Sequence, residues 1–478
     1  MASYTSPGVY IKDVVSGSQT ITQASSSIGI LFGITKAGPL NFPKKIGSFT
    51  EYIQYFANGL DTPFIENDYL SYSVYGFFQN GGKELYVCSL KKNATTAETP
   101  TTATVLTAEA ASPGVWGNDL HLSIKKSAEW DGDNNPAFDV SVSLGEDSVV
   151  VTDVTFETVL KALAESRPIQ QWAVNFELVS TATALAEEEL DFTGGSDGDE
   201  LIDADYIAAL DLIGTLDDVT MVGVPGQTTK VINDAIISYC DNNKLFPILD
   251  FPRGTTSEEA KAYRKSVSAF TGCICWPWGK MYDSLTDTLK AVPCVGHVMG
   301  VYARVIEERG VFKAPAGTET QVRGFIEMDW TVTATELSTL NPVGIICIMS
   351  RPNAGIVIWG ARSLNSTDST MRYVSDGLLN IMLTRSLYNG TQWAVFEPND
   401  EKLWKRVITT CKSFLENLRQ EGCFRGTKYT AYYVRCDETT NTDYTIAEGQ
   451  LNIEIGYAPV KPAEFVIIKL AHSIESNA

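Results

Sequence analysis

The sequence predicts a multidomain protein of mixed α/β and α+β class, and three observations carry that prediction. Strand-like and helix-like runs alternate from residue 27 to 90 and again from 192 to 278. Between them the alternation breaks, and residues 93–192 hold seventeen acidic and only four basic side chains. From residue 355 onward one strong amphipathic helix sits among short apolar runs. The expected division is an arm over 1–24, an α/β core in two pieces (25–92 and 193–354), an inserted acidic, mainly-β domain over 93–192, and a C-terminal α+β domain over 355–478.

Composition narrows the function. With 44% apolar and 20% charged residues among 478, the chain reads as folded throughout and long enough for about three domains. A net charge of −21 argues against nucleic acid as a partner, because phosphate binding needs Lys and Arg. No run approaches the roughly 18 apolar residues of a membrane span. The opening MASYTSPGVY has neither a basic nor an apolar signal region, so no secretory leader is expected. The nine cysteines show no C-x-x-C and no Cys/His zinc spacing. They read as buried thiols of a protein made in a reducing cytoplasm, with no metal or cofactor.

Taken in order, residues 1–24 are polar, with one β-like run, Gln19, Thr20, Ile21, Thr22 and Gln23, too short to be stable alone. Residues 27–33 read as a buried strand. Ser48 and Glu51 form a capping box for a short helix. Residues 68–78 read as a helix ended by Asn80-Gly-Gly, and 84–90 as a strand. Residues 94–107 look like an extended linker. Alternating strands follow at 120–124 and 138–144, then a helix near 156–164. So many like charges in one segment repel copies of themselves, so this domain is expected to lie outward, where copies are well spaced.

The Gly-rich stretch Thr193–Gly198 could suggest phosphate or metal binding, but it lacks a P-loop lysine and EF-hand ligand spacing. Helices at 204–213, 231–242 and 257–268 then alternate with strands at 219–224, 246–251 and 273–278, which implies a mainly parallel sheet with crossover helices. The ends of such strands are where an α/β enzyme would hold a ligand, and Asp250, Arg253 and Gln227 are the polar groups there. No nucleophile–base pair stands beside them. His121, His297 and His472 are far apart, and His297 reads as a hydrogen-bonded residue at a structural turn. No catalytic residue is assigned.

The C-terminal helix is the clearest single element. Leu403, Trp404, Val407, Ile408, Cys411, Phe414, Leu415 and Leu418 recur at three- and four-residue spacing. Asn399 or Asp400 can cap its start and Gly422 can stop it. Its other face carries Lys402, Lys405, Arg406, Lys412 and Arg419, either a solvated face or a docking face for an acidic partner. Residues 463–470, including Phe465, Val466, Ile467 and Ile468, read as a strand pushed extended by Pro459 and Pro462. It would pair within its own domain or with a neighbour's sheet edge.

Ten segments, in order, resemble the contractile tail sheath family of bacteriophages and related injection machines. They are SPGVYIKDV at the start, YLSYSVYGFFQNGGKELYV (69–87), SPGVWGNDL (112–120), FTGGSDG (192–198), VPGQT (224–228), GHVMGVYAR (296–304), RGVFKAPAG (309–317), WGARSL (359–364), WAVFEPNDEKLW (393–404) and APVKPAEFVI near the end. The resemblance implies a structural subunit, not an enzyme, that polymerises helically in stacked rings around an inner tail tube. Baseplate and tail terminator proteins would be its other partners, without membrane insertion, in a virion tail assembled in the bacterial cytoplasm. It also implies that residues 15–24 and the C-terminal strand add to sheets of neighbouring subunits. The basic helix face would be the side toward the tube.

Overall fold

The computed structural model describes residues 20–58, 62–132, 136–465 and 467. The chain divides into two compact units, residues 25–381 and residues 382 onward together with the segment up to Ala24. The division falls inside one helix, Val374–Thr391. This differs from the boundary expected at 355. Gly355–Trp359 pairs antiparallel with Ile346–Arg351 over five registered pairs, and its Val357 and Ile358 are fully buried, so it closes the edge of the large sheet.

That sheet has eight strands. Their spatial order is Gly355–Trp359, Ile346–Arg351, Cys273–Trp276, Phe246–Asp250, Met221–Gly223, Gly29–Gly33, Leu85–Ser89 and Lys44–Ile46. The six inner strands are parallel and both edge strands antiparallel. The inner strands read as near-continuous apolar runs because both faces are covered. One face packs on helices Asp203–Ala209, Lys230–Asn243, Ser257–Lys265 and Ala334–Leu340 through Tyr206, Ile232, Ile236, Cys240, Ala260 and Leu340. The other carries helices Leu70–Gln79 and Val295–Arg309, with Met299 against Gly29 and Leu70 against Gly33. The sheet is thus sandwiched between two helical layers.

Those last two helices lie unusually close. A Cβ on Gly296 would stand 2.2 Å from the Ser73 carbonyl oxygen, and one on Gly300 would stand 2.3 Å from that of Phe77. Only glycine admits that approach. His297 lies between these two glycines, in mid-helix rather than at a turn. It is fully buried, its ring stacks on Phe325 at 3.9 Å, and neither ring nitrogen has a hydrogen-bond partner among the described residues. The expectation of a hydrogen-bonded turn residue is therefore corrected. The glycines bring the helices too close to leave room for a polar partner, and burial pushes the imidazole down to about 3.

Residues 93–192 build separate sheets. Four antiparallel strands run in the order Asp147–Val154, Phe138–Leu144, Leu120–Lys126, Glu188–Asp191. A second pair, Leu106–Ala110 with Ala173–Leu178, packs with helices Val159–Glu165 and Arg167–Trp172. Phe138–Leu144 alternates buried and half-buried side chains, as a sheet with one apolar face requires. Trp116, Leu122, Val140, Leu163 and Ile169 form a core distinct from that under the large sheet.

The outgoing and returning limbs of this segment run side by side, bridged at Lys92–Asp199, Thr95–Ser196 and Glu98–Thr193. The Gly-rich stretch is the returning limb. Gly198 has φ +79°, and a Cβ there would be 2.0 Å from the Lys92 carbonyl oxygen. Beside it the Lys91 side chain is 1% exposed. Its ammonium donates to Asp197 at 2.6 Å and to the carbonyls of Lys36 and Pro113 at 3.1 Å each. Three acceptors satisfy all three of its donors, which is what makes a buried ammonium tolerable.

Candidate assembly surfaces

The ligand position of an α/β sheet lies where strand order reverses, here between Gly29–Gly33 and Met221–Gly223. The chain fills it with its own side chains. The Tyr69 ring lies against Gly226, where a Cβ would meet it at 2.4 Å, and Tyr69 packs edge-on against Trp278 at 5.1 Å. Gln227 Nε2 donates to the Tyr206 hydroxyl at 3.3 Å. Asp250 is buried and accepts from the Cys294 amide at 3.0 Å, at the start of helix Val295–Arg309. Burial pushes its carboxyl up to about 7, against the pull of the Cys294, Val295 and Gly226 amides. Arg253 points out, 3.9 Å from Asp329. Asp250 and Gln227 are thus each bonded to groups of the chain itself, while Arg253 stays exposed. Among the described residues no cluster of His, Cys, Asp and Glu could hold a metal ion.

The C-terminal unit is built differently. Helix Glu401–Glu421 starts at Asp400, whose side chain accepts from the Lys402 and Leu403 amides, both at 2.9 Å, and ends at Gly422 in a left-handed conformation. Leu403, Trp404, Val407, Cys411, Phe414, Leu415 and Leu418 are buried, and Ile408 is half-buried. On the basic face Lys405 pairs with Glu401 at 2.7 Å, Arg406 with Glu397 at 3.4 Å and Arg419 with Glu416 at 2.8 Å. Arg406 also lies over the Trp393 ring. Lys402 and Lys412 are exposed with no ion pair among the described residues.

Strands Tyr432–Arg435 and Glu454–Tyr457 form a two-stranded antiparallel sheet beside that helix, with the Tyr432 hydroxyl donating to Glu416 at 2.9 Å. Neither outer edge carries a further strand among the described residues. Further along, the Val460 amide donates to the Cys423 carbonyl at 3.2 Å, a tie within the same unit. Phe465 and Ile467 are 71% and 81% exposed and outside any strand. Val466 and Ile468 lie outside the described residues.

At the other end Thr20, Thr22 and Gln23 are exposed and not in a strand, Ile21 is half-buried, and Gln19 lies outside the described residues. Exposed aromatics concentrate in this same unit: Tyr388, Tyr429, Tyr444 and Phe396, the last at φ +66° in the turn before the long helix. Sequence reasoning missed Val374–Thr391. Its first half is buried on every side, so no apolar stripe marks it; its one signal is the run Leu378-Leu-Asn-Ile-Met-Leu383 closed by Asn389-Gly390.

Comparison with known proteins places this architecture in one class. Residues 201–364 match the family described as phage tail sheath protein central domain, and residues 366–471 match the phage tail sheath C-terminal domain. Together these matches cover more than half of the chain, and the chain belongs to the phage tail sheath family. It is 23% identical over 253 residues to the tail sheath protein of Escherichia phage P2, covering 52% of this chain and 62% of that one. The curated relatives are matched over less than two thirds of their length. Its fold is similar to that of the sheath of an extracellular contractile injection system, PVC, in the contracted state, with TM-score 0.63, 21% identity and 99% of both chains covered. It is equally similar to the contracted helical sheath of the anti-feeding prophage, with TM-score 0.63, 21% identity, and 98% and 100% of the chains covered. No helix among the described residues is long and apolar enough to cross a membrane.

Proposed function

We propose that this chain polymerises helically around an inner tube and that rearrangement of the polymer drives the tube through a bacterial envelope. The observation that carries the reading is the small sheet of the C-terminal unit. A two-stranded sheet is marginal alone, and its open edges are templates for added strands. The arm before residue 24 and the stretch 465–468 are the strands to be added, each to a neighbouring copy. Every backbone hydrogen bond so made contributes about 0.5–1.5 kcal/mol net, and two arms per subunit act multivalently. The acidic inserted segment takes the outer radius, and the basic face of helix Glu401–Glu421 faces the tube. Baseplate and terminator proteins cap the polymer. Energy stored at assembly, rather than nucleotide hydrolysis, powers the stroke.

The chain serves either a phage tail, for genome ejection, or a phage-derived injection system. The phage P2 relative favours the first and the likeness to the two contracted injection sheaths the second. DNA-packaging genes beside its gene would decide for the phage.

The test is negative-stain electron microscopy of the full chain, alone and co-expressed with the neighbouring tube protein. Hollow helical tubes are expected. Removal of residues 1–19 should leave a folded protein that forms none, and long ordered tubes from the shortened chain would refute strand addition by the arm.

A further inference from the structure

The arm does not leave the chain freely. Ile21 sits on Gly390 of helix Val374–Thr391, where a Cβ would meet Ile21 Cγ1 at 2.5 Å, Cγ2 at 2.7 Å and Cβ at 2.9 Å. One turn back on the same helix, the hydroxyl of buried Ser386 accepts from the Ala24 amide at 2.8 Å and donates to the Met382 carbonyl at 2.7 Å. Gly390 and Ser386, four residues apart, share one face of the helix. Glycine leaves the hollow, and the Ser386 hydroxyl satisfies a backbone donor that would otherwise be unpaired. Only one residue later, Ser25 belongs to the large unit, its carbonyl accepting from the Thr220 hydroxyl at 2.9 Å.

We propose that Gly390 and Ser386 form a permanent seat that roots the arm on the chain's own C-terminal unit, so that only residues before Thr20 engage a neighbouring copy. The inference rests on reading the chain as a sheath subunit and deepens it. The arm's root and the open two-stranded sheet then belong to the same compact unit. The distance from the root of one arm to the accepting sheet of the next copy is set by C-terminal units alone. The large units can change their mutual packing without pulling on the links. Residues Thr20, Ile21, Thr22 and Gln23 thereby change role, from pairing strand to anchor.

The test is the double variant Ile21→Cys/Gly390→Cys in the full chain. All nine native thiols are buried, so the added pair is the accessible one. The two Cβ positions stand 2.9 Å apart and need to open by less than about 1 Å to reach disulfide range. Oxidation should give a cross-link within one chain on a non-reducing gel. The oxidised protein should assemble with the tube protein to at least half the extent of the reduced form.

Cross-linked dimers would overturn the proposal, because the segment would then belong to a neighbour. So would an intrachain cross-link that abolishes assembly until reductant is added, because the segment would then have to leave its seat. If the reduced and native chains fail to assemble, it is the sheath reading that fails, and the gel still reports on the seat. Should the double variant not fold, Ser386→Ala tests the same contact. Amide exchange at Ala24 should speed at least tenfold, and an unchanged rate would sink the seat.

Discussion

At the residue scale, three buried ionisable groups give the large unit opposed pH dependences. Burial raises Asp250 to about 7 and Asp68 to about 6. Their folded values lie above the unfolded ones, so the stability they contribute is complete below about pH 4 and is lost as pH rises through 6 and 7. His297, lowered to about 3, works the other way. Its contribution is complete above about pH 6.5 and is lost as pH falls toward 3. Asp250→Asn should therefore remove part of the fall in stability between pH 4 and 8, on the order of 4 kcal/mol at about 1.4 kcal/mol per pH unit. His297→Leu should remove part of the fall below pH 6.5. Tm measured against pH for the two variants checks both, and identical profiles in variant and native chains would refute the assignments. A sequence cannot announce such groups, since Asp250 in a polar strand end and His297 between two glycines look ordinary until both faces of the sheet are covered.

Elements were the most legible scale, because hydrophobic period and capping chemistry act locally. Helix Glu401–Glu421 was fixed by Asp400 and Gly422, and the inner strands by unbroken apolar runs flanked by turns. What failed were elements whose identity depends on the rest of the fold. Val374–Thr391 has no stripe because half of it is enclosed. Gly355–Trp359 looked like the start of a new domain but is an edge strand of the old one. The Gly-rich stretch, which lacks P-loop and EF-hand spacing, had no role assigned from the sequence and is a limb packed on Lys92. Two substitutions probe this scale. Gly300→Ala places a Cβ 2.3 Å from the Phe77 carbonyl and should cost about 1–3 kcal/mol by forcing two helices apart. Asp400→Ala leaves the Lys402 and Leu403 amides without their acceptor and should cost about 1 kcal/mol. Chemical denaturation measures both, and a larger loss for the cap than for the glycine would reverse the ranking of packing over capping.

For the whole molecule the question is which charges are available to a partner. Five basic residues line one face of the long helix, but Lys405, Arg406 and Arg419 are engaged by acids of their own chain. Exposed pairs such as Lys405–Glu401 and Arg406–Glu397 are worth only about 0–1 kcal/mol, yet each neutralises the field a partner would feel. Lys402→Glu/Lys412→Glu should then weaken docking on purified tubes more than Lys405→Glu/Arg406→Glu does, with the chain's self-assembly unchanged. Co-sedimentation with tubes at two salt concentrations reads the difference. Equal effects, or none, would remove this face from the tube interface. The sequence showed the charges but not their pairing, because Glu397 and Glu416 reach Arg406 and Arg419 only once the turn and the helix are folded.

The stapled neck at Lys91 has a consequence of a different kind. Two antiparallel limbs, bridged three times and pinned by one enclosed ammonium, bring the two ends of a hundred-residue segment together at one point of the large unit. A segment entering and leaving at one point can be lengthened, shortened or exchanged without disturbing the sheet beneath it. The fold therefore offers a socket: any domain whose termini lie close together could be grafted beyond the Glu98–Thr193 bridge and be carried as cargo.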